Sequence, residues 1–315
     1  MRDEGPIRLI VAPGDAAKTV LQIAAEALGA EPRARDVLAH GGLWLNRARV
    51  TDPSAPVAAG ATVFIHRPPG GVYAEVQFDA GTILYEDADL IAVNKPAGVY
   101  VEATPWDAWN HLRGAVERFL TERTDGRGVL SAPWQPALHL VHRLDRDTTG
   151  VLLLSKDPAV NPALQRAFES GAVHKEYLCL CAGEPAADAF VVETGHGRAR
   201  QGLFQVYPLE EVGRELPNGA RVKLMVTRFV VERRLGDAAL LRASPVTGRT
   251  HQIRLHLAHL GHPLLGDTRY GGPAAWRGRA LSHHLLHAAR LALPHPRTGA
   301  PLAISAPPPV WIALP

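Results

Sequence analysis

The segment VKLMVTRFVVERRLGDAALLRAS, residues 222–244, decides the fold. Val222–Glu232 and Ala239–Ser244 read as strands, and Leu235-Gly236-Asp237 between them is a hairpin signal. Working outward, further strands are predicted at Ile83–Tyr85, Leu90–Asn94, Val151–Ser155 and Tyr177–Ala182. Helical spacing falls on Trp109–Thr121, Asn161–Glu169 and His251–Leu260. Strands and helices mix without a βαβα rhythm. The expectation is an α+β domain: a mostly antiparallel mixed sheet with flanking helices.

The first 67 residues read as a separate small α/β module. Asp15 to Leu28 has helical apolar spacing and ends at Gly29, and a second short helix fits Arg33 to Ala39. Residues 43–46 and 62–65 read as strands, with a turn at Asp52-Pro53. The run Pro68-Pro69-Gly70-Gly71 opens a linker. The expected division is 1–67 module, 68–80 linker and 81–315 main domain.

With 315 residues, 46% of them hydrophobic, the chain can bury the cores of two domains. A net charge of +3 permits a nucleic-acid partner without demanding one. The two cysteines, Cys179 and Cys181, lie two apart on a predicted strand and so share a face, as small buried hydrophobes rather than a disulfide. The start lacks a signal-peptide pattern, and no apolar run reaches the ~20 residues of a membrane span. The expectation is a cytoplasmic protein, off the membrane and monomeric. There is no phosphate-binding loop, dinucleotide fingerprint or Gly-x-Ser-x-Gly elbow. The histidine groups 251–262 and 283–287 lack metal-ligand spacing. No cofactor and no metal are therefore expected.

Two segments stand out. In residues 139–157, HLVHRLDRDTTGVLLLSKD, a charged loop runs through Gly150 into a buried strand, a rigid mount for reactive groups. Taken alone it would be a solvated turn with surface ion pairs. In residues 245–256, PVTGRTHQIRLH, a strand ends at a Gly turn and a helix begins, presenting Arg249 and Arg254 near its start. Taken alone it would be ordinary capping with exposed basic groups.

Together these segments resemble the RluA family of RNA pseudouridine synthases. The similarity spans nearly all of residues 81–315. It runs through the opening strand and Lys95-Pro96 turn, His142-Arg143-Leu144-Asp145 with Thr148-Thr149-Gly150, and Lys175-Glu176-Tyr177. It continues through Gly248 to Arg254, Gly261 to Gly271, and Leu286-His287-Ala288 with His295-Pro296. The resemblance implies conversion of uridine to pseudouridine in structured RNA, ribosomal or transfer. That reaction cuts the N1–C1′ glycosidic bond, turns the base and joins C5 to C1′, without redox change. A carboxylate beside C1′ can stabilise its positive character or bond to it.

The resemblance assigns that carboxylate to Asp145. It makes Arg254 the charged partner, able to grip a carboxylate through two bonds. Tyr177 would lie against the base and help remove the C5 proton, and Arg143 would prop the space left by the flipped uridine. Arg146, Lys175, Arg198, Arg200 and Arg249 are candidate phosphate contacts. The N-terminal module resembles an S4-like RNA-binding domain, with Asn46-Arg47 where an Asn-Gly turn is usual. Two rival activities are weighed against this. An N-glycosidase would release the base, and no second carboxylate motif beyond nearby Asp147 stands out to activate water. A non-catalytic RNA-binding protein would not need Asp145, Tyr177 and Arg254 together.

Overall fold

The computed structural model describes residues 5–125, 138–199 and 203–313. They pack as two compact units, residues 1–78 with 99–135 and residues 79–98 with 136–315. The first contains β1 (Ile7–Ile10), α1 (Val20–Leu28), α2 (Glu31–Ala39), β2 (Leu43–Leu45), β3 (Ala48–Arg49), β4 (Thr62–Ile65) and α3 (Leu112–Asp125). Its strands form an antiparallel sheet in the order β1-β4-β2-β3. Val63, Leu43 and Ile65 pack on Val20, Ile23, Ala24 and Val37 of the two helices. Thr19 and Gln22 cap α1 reciprocally, which explains why the helix begins at Val20 rather than near Asp15. The β2–β3 hairpin turns through Asn46 and Arg47, both at positive φ, with Asn46 Oδ1 accepting the Thr62 N–H at 2.9 Å. That side-chain bond supports a turn usually made with glycine.

Residues 99–125 group with this unit, not with the remainder of the expected 81–315 domain. The cause is specific bonding. Trp44 Nε1 donates to Pro105 O at 2.8 Å, Trp109 Nε1 to Ala39 O at 2.9 Å, and the Ala108 N–H to His40 O at 2.8 Å.

The second unit contains β5 (Ile83–Glu86), β6 (Leu90–Lys95), β7 (His139–Leu140), β8 (Thr149–Ser155), α4 (Asn161–Glu169), β9 (His174–Ala182), β10 (Ala189–Arg198) and β11 (Phe204–Tyr207). It continues with β12 (Lys223–Arg234), β13 (Ala238–Pro245), α5 (Gln252–His259), a small hairpin β14 (Ala275–Trp276) and β15 (Arg279–Ala280), β16 (Leu286–Pro294) and β17 (Pro301–Ser305). The large sheet runs β11-β10-β12-β13-β9-β16-β8-β6-β5, with β7 on β8 and β17 on β16. Among these neighbours β8 and β16 pair in parallel and the rest antiparallel, so the sheet is mixed and mostly antiparallel.

The β12–β13 hairpin forms where the sequence places it. Strands β10, β16 and β17 are not apparent from sequence; β16, LHAARLALP, is rich in alanine and polar groups and is made a strand by burial between β8 and β9. Leu164 and Ala167 of α4 pack on Val151 and Leu153, and Ile253 and Leu257 of α5 on Cys179 and Cys181. Both cysteines are buried free thiols on the same side of β9, as expected. No helix among the described residues is long and apolar enough to cross a membrane.

Candidate active site

Residues 141–148 connect β7 to β8, and their conformation is fixed from several sides. His142 points inward, where its Nε2 accepts the Leu153 N–H at 3.0 Å and its ring stacks on Phe168. Leu144 is buried and Arg143 is exposed. The fully buried Lys95 ammonium donates to Pro96 O at 2.8 Å, Arg146 O at 2.6 Å and Thr148 O at 3.0 Å. Thr148 Oγ1 lies 2.9 Å from His284 Nε2, and Thr149 Oγ1 lies 2.8 Å from His287 Nδ1. At Gly150 the chain has φ 104°, and a Cβ would sit 2.2 Å from Ala288 O, so close pairing with β16 demands glycine.

Asp145 emerges from this loop with 24% of its side chain exposed. Its Oδ2 accepts from Arg254 Nη1 at 2.9 Å. Arg254 sits in the first turn of α5 and also grips Asp267 twice, Nε to Oδ2 at 2.7 Å and Nη2 to Oδ1 at 2.9 Å. The two-bond grip that the sequence reading gave to Asp145 thus falls on Asp267. A fork of donors saturates the carboxylate that is buried most deeply and leaves one donor for the other. Burial opposes the ionised form of Asp145, but His251, Arg254 and His284 outweigh it and hold the carboxyl below its usual range. His251 and His284 are themselves pushed down to about 4, chiefly by burial, and are neutral at pH 7. At neutral pH the compensating charge is therefore Arg254.

Tyr177 lies on β9 in a cross-strand row with Ala243, Ala288 and Gly150. Directly opposed residues share a face, so its ring stands among small neighbours and is not crowded by them. Burial, then the charge of Asp145, pushes its phenol well above the usual range. Tyr177 is thus a neutral phenol at pH 7, suited to stacking and hydrogen bonding rather than to acting as a free base.

The sequence-derived basic residues are distributed around this centre. Arg146 is exposed and its Nε donates to Asp147 Oδ1 at 2.8 Å. Lys175 Nζ lies 3.5 Å from Thr247 O, and Arg249 Nε donates to Leu224 O at 3.0 Å. Burial, then the Arg249 charge, lowers the pKa of Lys175, and its Nζ is the side-chain atom nearest Gly248. Arg198 stacks over Phe204, and Arg200 lies outside the described residues.

Several histidines serve hydroxyls and carbonyls. His256 bonds Thr194 and Thr227, and His262 bonds Ala182 O. Elsewhere, Asp87, Asp89 and His295 converge, but Tyr85, His295 and Arg297 engage their carboxylate oxygens. Sequence reasoning missed Lys95, Asp267, His251 and Tyr270 as parts of the site. All four sat inside quoted motifs, and for Lys95 and Asp267 the signal was a charge that had to be buried.

Residues 89–259 match the family model described as RNA pseudouridylate synthase. "RNA pseudouridine synthase 1" of Arabidopsis thaliana is 39% identical over 263 residues, covering 73% of this chain and 76% of the relative. "Ribosomal large subunit pseudouridine synthase C" of Escherichia coli (strain K12) is 36% identical over 233 residues, covering 72% and 66%. Among solved structures, "Human RNA Pseudouridylate Synthase Domain Containing 4" superposes with a TM-score of 0.57 at 25% identity, covering 74% of this chain and 90% of that one.

Proposed function

The chain belongs to the RNA pseudouridylate synthase family and forms pseudouridine in RNA, and from that premise we propose that Asp145 is the carboxylate that works at the ribose C1′ of the target uridine. The observation that carries this is the asymmetric hold on its side chain. Oδ2 accepts from Arg254 at 2.9 Å, while Oδ1 has His251 Nε2 only at 3.8 Å, beyond hydrogen-bond reach, and so keeps lone-pair capacity toward the reacting centre. As the N1–C1′ bond breaks, positive character at C1′ meets an ionised, partly desolvated carboxylate. The uracil turns against the Tyr177 ring and C5 joins C1′; the C5 proton passes to solvent and N1, released from the ribose, takes one up, so the ring is restored with no net change in protons. No cofactor is needed, because atoms and oxidation state balance within the uridine.

Arg143, exposed two residues before Asp145, props the stack that the flipped uridine vacates. Arg146, Lys175 and Arg249 contact phosphates around the pocket. The target is a structured RNA, with ribosomal RNA ahead of transfer RNA because of the name of the bacterial relative. The protein acts as a cytoplasmic monomer, away from membranes. Asp145→Ala tests the central claim: pseudouridine formation should vanish while RNA binding persists. Retained activity would overturn the assignment.

The N-terminal 1–67 segment serves as an S4-like module that docks RNA, through the α2 arginines Arg33 and Arg35. Replacing both with glutamate should weaken RNA affinity several-fold and flatten its salt dependence by up to about two phosphate contacts. An unchanged salt slope would remove this module from the interface.

A further inference from the structure

His251 is the residue from which α5 starts, and it behaves unlike a helix cap. Its backbone is left-handed, φ 57° and ψ 24°, a conformation that a side chain with Cβ adopts at a cost. Its imidazole makes no capping bond to the helix. It is turned into the site, with 12% of its side chain exposed, and its two nitrogens meet different partners. Nδ1 lies 2.7 Å from the Tyr270 hydroxyl. Nε2 lies 3.8 Å from Asp145 Oδ1, the oxygen that Arg254 does not hold. The ring is wedged edge-on between Phe204 and Tyr270, and the face of Tyr270 carries the Arg254 guanidinium at 5.0 Å.

This arrangement selects one tautomer. At 2.7 Å the Tyr270 hydroxyl can donate its proton to His251 Nδ1. A nitrogen that accepts there must carry its proton on the other side, at Nε2. The opposite tautomer would aim a lone pair at the carboxylate oxygen of Asp145 and would be repelled. An N–H aimed at that oxygen is attracted. The gap of 3.8 Å exceeds a hydrogen bond by roughly 1 Å, a shift that side-chain closure on a bound nucleotide supplies.

We propose that His251 is a positioning residue for Asp145. Its Nε2–H, fixed in that tautomer by Tyr270, closes on Oδ1 and sets the plane of the carboxylate against the ribose. Arg254 and His251 then hold the two oxygens from opposite nitrogens of one short helix start. The proposal rests on Asp145 being the working carboxylate, but its first test does not.

In free protein labelled with 15N-histidine, the His251 ring should titrate as an Nε2-protonated neutral imidazole. Tyr270→Phe keeps the ring beneath Arg254 and removes the phenolic proton, and it should shift His251 toward the Nδ1-protonated form. An Nδ1-protonated ring in the unaltered protein, or no shift in Tyr270→Phe, overturns the proposal whatever Asp145 does. In the pseudouridine assay, His251→Asn keeps a side chain that tolerates the left-handed backbone but cannot reach Oδ1. It should lower kcat about 10- to 100-fold with KM and RNA affinity within about twofold. His251→Gln, whose amide nitrogen reaches the Nε2 position, should recover a large part of that loss. If Asn and Gln behave alike, or if KM rises and kcat does not fall, His251 is a packing residue and the proposal is wrong.

Discussion

Two carboxylate-bearing turns meet at one arginine, and the molecule treats them differently. Asp267, in the turn 264–272, is 2% exposed and takes the fork of Arg254. Its turn is closed by backbone bonds from Asp267 N to Leu264 O and from Gly272 N to Asp267 O. A Cβ on Gly266 would meet His283 O at 2.0 Å, so the turn is seated hard against the chain before β16. Asp145, in the loop 141–148, is 24% exposed and takes a single bond from the same guanidinium. The lesson is a division of labour. One carboxylate anchors the cation, and the anchored cation then ionises and aims the other without saturating it.

Removing the shared cation should break both halves at once. Arg254→Met strands Asp267 as a buried charge, a loss of about 3–5 kcal/mol of stability for an unpaired buried ion. It also removes the charge that keeps Asp145 low, leaving burial to raise it. The acid limb of kcat should therefore move upward in pH, and activity at pH 7 should fall about 10²- to 10³-fold. Urea unfolding and a pH–rate profile read the two effects separately. An unmoved acid limb would mean that Arg254 does not control the ionisation of Asp145.

Altering the anchor alone should separate position from charge. Asp267→Asn keeps the shape of the turn and removes a negative charge beside Arg254. Stability should fall by about 1–3 kcal/mol, because a buried charge-assisted bond is weakened. Asp145 would then have the guanidinium to itself, so its pKa should not rise and the acid limb should stay where it is. A kcat loss of about tenfold with an unmoved limb would show that Asp267 acts by placing Arg254. A limb that rises as in Arg254→Met would erase the distinction between the two carboxylates.

The sequence made one of these turns far more legible than the other. Asp145 stands out because a run of charge abuts a buried strand, a local contrast that one window of sequence displays. The ion pair with Arg254 spans more than a hundred positions and was reached through resemblance, not spacing. Asp267 was visible only as one letter of a motif, because its role depends on a cation thirteen residues upstream becoming buried with it. The same limit explains the strands. The β12–β13 hairpin announces itself through local turn chemistry. β16, at the centre of the sheet, has a composition that only its buried neighbours turn into a strand. The 99–125 segment likewise joins the N-terminal unit through two tryptophan N–H groups and a few carbonyls, partners that no periodicity reveals.

The loop that carries Asp145 has its own anchor, and altering it is the finest test of the comparison. Lys95 spends its ammonium on three carbonyls, two of them in the loop, at Arg146 and Thr148. Burial pulls its pKa from 10.5 down to about 7, with Asp147 and Asp145 resisting. A cation disfavoured by folding binds its proton more weakly in the folded chain than in the unfolded one. Between about pH 7 and 10.5 the unfolded chain therefore holds more protons, and stability rises with pH across that window. Lys95→Met should abolish that rise. It should also leave the loop carbonyls unpaired, costing about 1–3 kcal/mol at pH 7. The effect on catalysis should be smaller than for either partner of Arg254, about two- to threefold in kcat, because the ion pair itself is untouched while the loop that aims it is loosened. Urea titrations at pH 7 and 9.5 measure the slope, and single-turnover kinetics measure the aim. A variant with the same pH slope and full kcat would show that the loop holds Asp145 without help from β6.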